Sequence, residues 1–171
     1  MNVLATVVIF TMTQFSGQVS DRASVQGECL ITETTVQGNS LQGLLWPGQE
    51  IKIHSLGCGF PKRYDYIVFR SDEAELPVIK QLWGQPGDIL TLLDNGRFEV
   101  NGVEAMTPFK KPYRLLGSAK TRLKKVAGEI DGYLVLGHPG SVDSGRIGLL
   151  SKADIMGYVL ANQLGKTNAA N

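Results

Sequence analysis

Ser40 and Lys80 are the two side chains whose chemistry could make this chain a catalyst. Ser40 follows a Gly38-Asn39 step, a turn-forming pair that would present its hydroxyl at a bend of the chain. A serine hydroxyl is a poor nucleophile until a neighbouring base removes its proton, and a lysine can do so only when it is neutral. Apolar residues surround Lys80 in the sequence, and burial among them would lower the pKa of its amine.

The histidines and cysteines suggest no second kind of site. His54 and His138 stand in no recognisable Ser-His-Asp context, and isolated histidines are usually structural or surface residues. Cys29 and Cys58 form no Cys-x-x-Cys motif, and no zinc-binding spacing can be drawn with the two histidines. We therefore expect neither a metal nor a cofactor.

The charge balance argues against a nucleic-acid partner. The chain has 17 basic and 16 acidic residues, a net charge of +1, so the strongly basic footprint of a nucleic-acid-binding domain is missing. The densest basic cluster is TRLKK at 121–125. Such a cluster could touch anionic lipid head groups, but a solvated loop or strand edge is the more common outcome.

The elements that must hold these residues are predicted to be β-strands. The 20 glycines and 7 prolines are scattered between short apolar runs, which is typical of an all-β chain. An Asn95-Gly96 step between two alternating runs predicts a hairpin. We expect a helical turn at Ser40–Leu45 and an irregular excursion over 103–128. The predicted strands are Glu28–Val36, Glu50–Ser55, Tyr64–Arg70, Leu76–Trp83, Ile89–Leu93, Arg97–Val100, Gly132–Gly137 and Asp154–Val159.

A length of 171 residues suits one folded domain. We assign it to residues 21–162, with an apolar segment at 1–20 and a frayed polar tail at 163–171. The apolar run Val3–Met12 is shorter than the ~20 residues of a membrane-spanning helix. It is either a truncated membrane anchor, which we favour, or a buried strand.

Four segments in order resemble the bacterial type I signal peptidase family. Segment 36–48 (VQGNSLQGLLWPG) is similar to the family's nucleophile box, and 63–69 (RYDYIVF) to its Arg-Gly-Asp strand. Segment 77–88 (PVIKQLWGQPGD) resembles its lysine box, and 136–148 (LGHPGSVDSGRIG) its Ser-x-Asp-Ser-Arg region. The resemblance covers roughly residues 28–160. It implies a mainly β, signal-peptidase-like antiparallel sheet or barrel with little helix, and a serine endopeptidase.

The resemblance assigns roles to individual residues. It places the nucleophile at Ser40 and the general base at Lys80. Ser141 matches the serine that orients the lysine ammonium, and Asp143 matches a nearby structural acid. Gly38 stands where many members carry a hydroxyl for the oxyanion, so a backbone amide or water must replace it. We expect Asp143 to face away from Lys80, because a carboxylate in contact would hold the proton on the amine.

The resemblance also implies a substrate and a location. Shallow apolar subsites would admit alanine and reject bulk, so cleavage after Ala-x-Ala in the signal peptides of exported preproteins is expected. The implied partners are these peptides and the membrane lipid surface, with the catalytic domain on the extracytoplasmic face. Cys29 and Cys58 are then expected to form a disulfide, the alternative being two buried core thiols. The residues at the subsite positions are Val36, Leu41, Leu45, Val78 and Ile79.

Several positions depart from the family pattern. Leu41 replaces the usual Met after the nucleophile, Tyr64 replaces a Gly, and Gln81 replaces the Arg after the lysine. Gly145 interrupts the Asp-Ser-Arg sequence, so we expect Arg146 to be displaced from the ion pair that the family's arginine makes with its aspartate.

Three other functions fit the sequence to different degrees. A conjugation-type pilin-processing peptidase of the same clan shares the dyad and remains open. A self-cleaving repressor should carry an Ala-Gly or Cys-Gly step upstream of the serine, and this sequence has none there. A non-catalytic β-barrel binding module would explain the composition but not the four ordered segments.

Overall fold

The computed structural model describes residues 27–39, 41–107 and 110–163. The predicted segment 1–20, residues 164–171 of the predicted tail and Ser40 lie outside these ranges. The described chain contains two short helices, α1 (Gly117–Lys124) and α2 (Ser144–Ile147). Its strands are β1 (Ile31–Thr35), β2 (Glu50–His54), β3 (Tyr66–Phe69), β4 (Val78–Gly84), β5 (Ile89–Leu92), β6 (Phe98–Val100), β7 (Val103–Glu104), β8 (Gly128–Glu129), β9 (Leu134–Leu136) and β10 (Ile155–Val159).

The strands form two antiparallel sheets. The six-stranded sheet has the order β1-β2-β10-β3-β4-β9, and the four-stranded sheet has the order β7-β6-β5-β8. Each predicted strand overlaps one of these strands, so the prediction of a mainly β antiparallel fold is confirmed. Neither described helix has the length and apolar content that a membrane crossing requires.

The centre of the large sheet is buried on both faces. All four residues of β3 are buried, as are five of the seven in β4, from Lys80 to Gly84. Ile67 and Leu82 pack in a cluster on one face, and Tyr66 and Val68 in a cluster on the other. A strand covered on both faces has little access to water, so a charged side chain there is strongly desolvated.

Both Asn-Gly steps form hairpin turns. Asn95 and Gly96 take φ of 58° and 76° between β5 and β6, which confirms the predicted hairpin. Asn101 and Gly102 take φ of 54° and 72° and join β6 to β7. Asn and Gly are the residues that adopt positive φ most readily. The second hairpin was not among the predicted elements.

The prediction of an irregular excursion over 103–128 is wrong for helix α1, whereas most described residues between β7 and α1 are irregular. This stretch begins with β7, contains helix α1 and ends where β8 begins. Of the residues in α1, Leu123 alone is buried, so the helix has almost no apolar periodicity by which a sequence could reveal it. The TRLK part of the basic cluster therefore lies on a helix.

Tyr64, which stands where the resemblance predicts a glycine, has a left-handed backbone conformation. Its φ is 75°, in the left-handed region that disfavours a residue with a Cβ. Its ring packs edge-on against Trp83, with ring centroids 5.6 Å apart. Aromatic packing therefore accompanies a strained backbone at this departure from the family pattern.

Cys29 and Cys58 form a disulfide, with their Cα atoms 4.3 Å apart. The bond joins the segment before β1 to the 3₁₀ turn Leu56–Cys58 that follows β2. It therefore fastens the edge hairpin of the large sheet.

Candidate active site

Strand β4 places Lys80 in the interior of the large sheet. Lys80 pairs with Ile67 of the neighbouring strand β3, and the residue is only 3% exposed. Its amine Nζ donates a hydrogen bond to the carbonyl of Ile79 at 2.9 Å. Burial lowers the pKa of Lys80 to about 8. A larger fraction of this amine is therefore neutral near physiological pH than of an ordinary surface lysine.

Gly137 gives Lys80 the room that it needs. A Cβ placed on Gly137 would lie 2.6 Å from Cδ of Lys80, 3.0 Å from its Cε and 3.0 Å from Oγ of Ser141. The lysine stem and the Ser141 hydroxyl therefore both lie where the side chain of any residue larger than glycine would project. We did not single out this glycine from the sequence. Its position opposite Lys80 follows from the pairing of Gln81 with Leu136, which only the strand register reveals.

Asp143 holds the loop after β9 in place. Its Oδ2 accepts hydrogen bonds from the backbone N–H of Gly137 at 3.0 Å and from Oγ of Ser141 at 3.1 Å. Its Oδ1 accepts from the N–H of Gly145 at 2.9 Å and so caps the N-terminus of α2. The structure thus brings the predicted Lys80, Ser141 and Asp143 together.

The Asp143 oxygens accept from the donors of their own loop, and the expectation that this carboxylate faces away from Lys80 stays a prediction. Its charge acts on the amine and raises the lysine pKa, but the opposing effect of burial is larger. The physical reason for its position is the set of three donors that it accepts. Burial also raises the pKa of Asp143, against those hydrogen bonds and the charge of Lys80.

Tyr113 fixes the other side of Gly137. Its hydroxyl donates a hydrogen bond to the Gly137 carbonyl. Burial raises the pKa of this phenol, so it remains protonated and a donor from neutral to alkaline pH. Tyr113 lies in the stretch expected to be irregular, and nothing in the sequence marks it as part of the site.

The segment that carries Ser40 is described on both sides of that residue. Gly38 has a φ of 78°. The N–H groups of Leu44 and Leu45 both donate to the Leu41 carbonyl at 2.9 Å, which makes the expected helical turn immediately after Ser40. The chain therefore bends before Ser40 and turns after it.

A cavity of about 300 Å³ borders both the segment that follows Ser40 and the strand that carries Lys80. Leu41, the residue after Ser40, lies in its wall together with Gly137, the residue against Lys80. Apolar side chains provide much of the remaining wall, among them Leu44, Trp83 and Tyr113. The two segments predicted to carry the nucleophile and the base thus border one concave surface.

The five predicted subsite residues occupy different environments. Leu41 lines the cavity. Val36 and Leu45 are buried in the same cluster as Tyr66, and the partly buried Ile79 packs against that cluster. The partly buried Val78 packs against the cluster on the opposite face of the sheet.

Arg146 pairs with Glu73 rather than with Asp143. Within the described residues no arginine forms an ion pair with Asp143, in agreement with the displacement expected from the inserted Gly145. The aspartate is instead held by the N–H and O–H donors of its own loop.

The histidines take no part in a Ser-His-Asp arrangement within the described residues. His54 stacks on the ring of Tyr158, with centroids 5.6 Å apart, and His138 lies on the wall of the cavity. The part of the chain that the structure describes contains no cluster of His, Cys, Asp and Glu suited to a metal ion.

A family model identifies the family of this chain. The family model described as "Signal peptidase, peptidase S26" matches residues 1–162. Among solved structures, the chain is similar to a signal peptidase I from Enterococcus faecalis V583, with 26% identity and a TM-score of 0.43. That match covers 59% of this chain and 97% of the other. A search of curated proteins found no significant match.

Proposed function

The chain belongs to the signal peptidase family, peptidase S26, and we propose that it is a type I signal peptidase with Ser40 as nucleophile and Lys80 as general base. The observation that carries this proposal is the environment of Lys80. It is a lysine buried in a central strand, with a lowered pKa, against a glycine that borders the same cavity as the residue after Ser40. Perturbed titratable groups at a concave surface are typical of catalytic sites.

The proposed reaction is a two-step acyl transfer. Neutral Lys80 takes the proton of the Ser40 hydroxyl while the serine oxygen bonds to the carbonyl carbon of the scissile amide. The lysine ammonium then gives this proton to the leaving amine as the carbon–nitrogen bond breaks. Lys80, neutral again, removes a proton from water as the water oxygen attacks the acyl-serine. Collapse of that intermediate restores the Ser40 hydroxyl and releases the carboxyl product.

Two sets of groups would assist this reaction, the donors to the oxyanion and the residues that position Lys80. The backbone N–H of Ser40 is the first candidate donor to the oxyanion, and a backbone amide or water of the Gly38 turn would have to be the second. The Ser141 hydroxyl donates its hydrogen bond to Asp143, so its oxygen lone pairs remain acceptors that can orient the lysine ammonium. We therefore assign Ser141 and Asp143 as positioning residues for Lys80.

The proposed substrates are the signal peptides of exported preproteins, cleaved after Ala-x-Ala. Family membership supports peptides of this class as substrates. The disulfide supports an oxidising compartment, and hence a catalytic domain on the extracytoplasmic face of the membrane. We propose residues 21–162 as the catalytic unit and the 1–20 segment as its membrane anchor.

The test is incubation of the purified protein with a peptide that contains one Ala-x-Ala site, with the cut located by mass spectrometry. We expect one cleavage directly after the second alanine. The matched control is Ser40→Ala, which should leave the peptide intact because the nucleophile is gone. An intact peptide with the unmodified protein, or equal cleavage by Ser40→Ala, would reject the proposed function.

A further inference from the structure

The positive charge of this chain is concentrated in one stretch. Between Glu104 and Glu129 there is no acidic residue, although the whole chain has 17 basic and 16 acidic residues. Every cationic residue in that stretch is exposed, and none forms an ion pair among the described residues. These residues are Lys110, Lys111, Arg114, Lys120, Arg122, Lys124 and Lys125.

This basic stretch reaches the candidate active site through Arg114. Arg114 and His138 both lie on the wall of the 300 Å³ cavity, and none of the described residues of that wall carries a carboxylate. The Arg114 guanidinium donates to the Asn95 carbonyl at 3.4 Å, a long bond that uses one of its five N–H groups. A guanidinium keeps its charge at every working pH. Among the described residues, the cavity wall therefore has a cationic donor and no carboxylate. Asp143 lies behind this wall, where it binds the Gly137 N–H and lines a second pocket that Arg114 also borders.

The remaining walls of the cavity are largely apolar. Trp83, Tyr113 and Leu44 lie there, while Arg114 is exposed, so an ionic hydrogen bond to its guanidinium is partly screened by water. These apolar walls suit a peptide with one charged side chain better than a highly charged ligand. The cavity borders Gly137, which lies against Lys80. A side chain of a peptide bound for cleavage could therefore enter it.

We propose that the peptidase prefers substrates with an aspartate or glutamate within a few residues of the scissile bond, recognised by Arg114 with His138 as a second donor. This specificity rests on the proposed function and narrows its substrate class. A bilayer surface is the alternative partner for the basic stretch. The concave position of Arg114 favours the peptide, whereas the exposed lysines of α1 lie outside the cavity wall.

The experiment compares peptides that share one Ala-x-Ala site. A single Asp, Asn or Lys is placed in turn at each of about four positions on either side of the cut, and kcat/KM is measured. At one position or more, we expect Asp to be cleaved about tenfold faster than Asn, a difference of about 1.4 kcal/mol. Lys at that position should be slower than Asn. Added salt should reduce the Asp preference because part of the interaction is screened.

Two variants test whether Arg114 causes the preference for Asp over Asn. Arg114→Gln should bring the Asp to Asn ratio close to one, because it removes the charge from the cavity wall. The matched control is Arg122→Gln, which removes an equal charge from the exposed face of α1 and should retain the ratio.

The possible results separate the two proposals. Cleavage of every peptide with no Asp preference, or an unchanged preference in Arg114→Gln, would overturn the specificity while the proposed function stands. Equal peptide rates together with Arg114-dependent binding to phosphatidylglycerol vesicles would overturn it in favour of a lipid surface. Failure to cleave any peptide would reject the proposed function and this specificity with it.

Discussion

Gly137 lies directly against the side chain of Lys80. A Cβ at position 137 would approach Cδ of the lysine to 2.6 Å, closer than carbon atoms pack. The backbone of that glycine is itself held from both sides, by the Asp143 carboxylate at its N–H and by the Tyr113 hydroxyl at its carbonyl. The lysine therefore rests on a fixed surface.

Gly137→Ala should reduce kcat/KM by about 100-fold or more while the protein still folds. The added methyl group must displace the flexible lysine stem, and a small misplacement of a catalytic group has effects of this size. Gly27→Ala is the matched control, because a Cβ at Gly27 meets nothing within 4 Å. Peptide cleavage and a thermal unfolding curve measure both variants. Full activity of Gly137→Ala would show that the contact with Lys80 has no part in catalysis.

Asp143→Asn should shift the pH dependence of cleavage to lower pH. The Asp143 charge raises the pKa of Lys80, so its removal lets the amine lose its proton at lower pH. The maximal rate should also fall, because an amide has one acceptor oxygen where the carboxylate accepts three hydrogen bonds with two. The readout is kcat/KM against pH. A lower rate without a shift would indicate a purely structural aspartate.

Tyr64→Gly should be more stable than Tyr64→Ala by about 1 kcal/mol. Both variants lose the contact with Trp83, but only alanine retains the strain of a Cβ at a φ of 75°. Urea unfolding of the two variants measures the difference. Equal stabilities would mean that the left-handed conformation is not maintained at this position.

Removal of the disulfide should lower the free energy of unfolding by about 2–4 kcal/mol. Cys29 and Cys58 are separated by 29 positions, so the closed loop restricts the unfolded chain considerably. The double variant Cys29→Ala and Cys58→Ala is compared with the unmodified protein in urea, with and without a reducing agent. The reducing agent should destabilise only the unmodified protein. No response to it would show that the bond is absent under those conditions.

Local patterns in the sequence were sufficient to predict most strands. Short alternating or continuous apolar runs marked them, and Asn95-Gly96 marked one hairpin because both residues accept positive φ. Helix α1 was missed since only Leu123 of it is buried, which leaves no apolar stripe. Strands β7 and β8 were missed because two residues cannot show a period.

The candidate site was predictable only in part. Lys80, Ser141 and Asp143 follow from segments that resemble the family, and the structure brings them together. The contact of Gly137 with Lys80 depends on strand register, and that of Tyr113 with Gly137 depends on tertiary packing. The three hydrogen bonds that Asp143 accepts could not be predicted, because they depend on how the loop after β9 folds around its carboxylate.

The central claim is that Lys80 acts as a neutral base, and the pH dependence of kcat/KM on an Ala-x-Ala peptide tests it most directly. Its lowered pKa predicts that activity falls about tenfold per pH unit below about 8, where the amine is protonated, and levels off above it. Lys80→Arg should be inactive throughout, because a guanidinium cannot take the serine proton. A flat profile from about pH 6 to about pH 10, or retained activity in Lys80→Arg, would contradict the account.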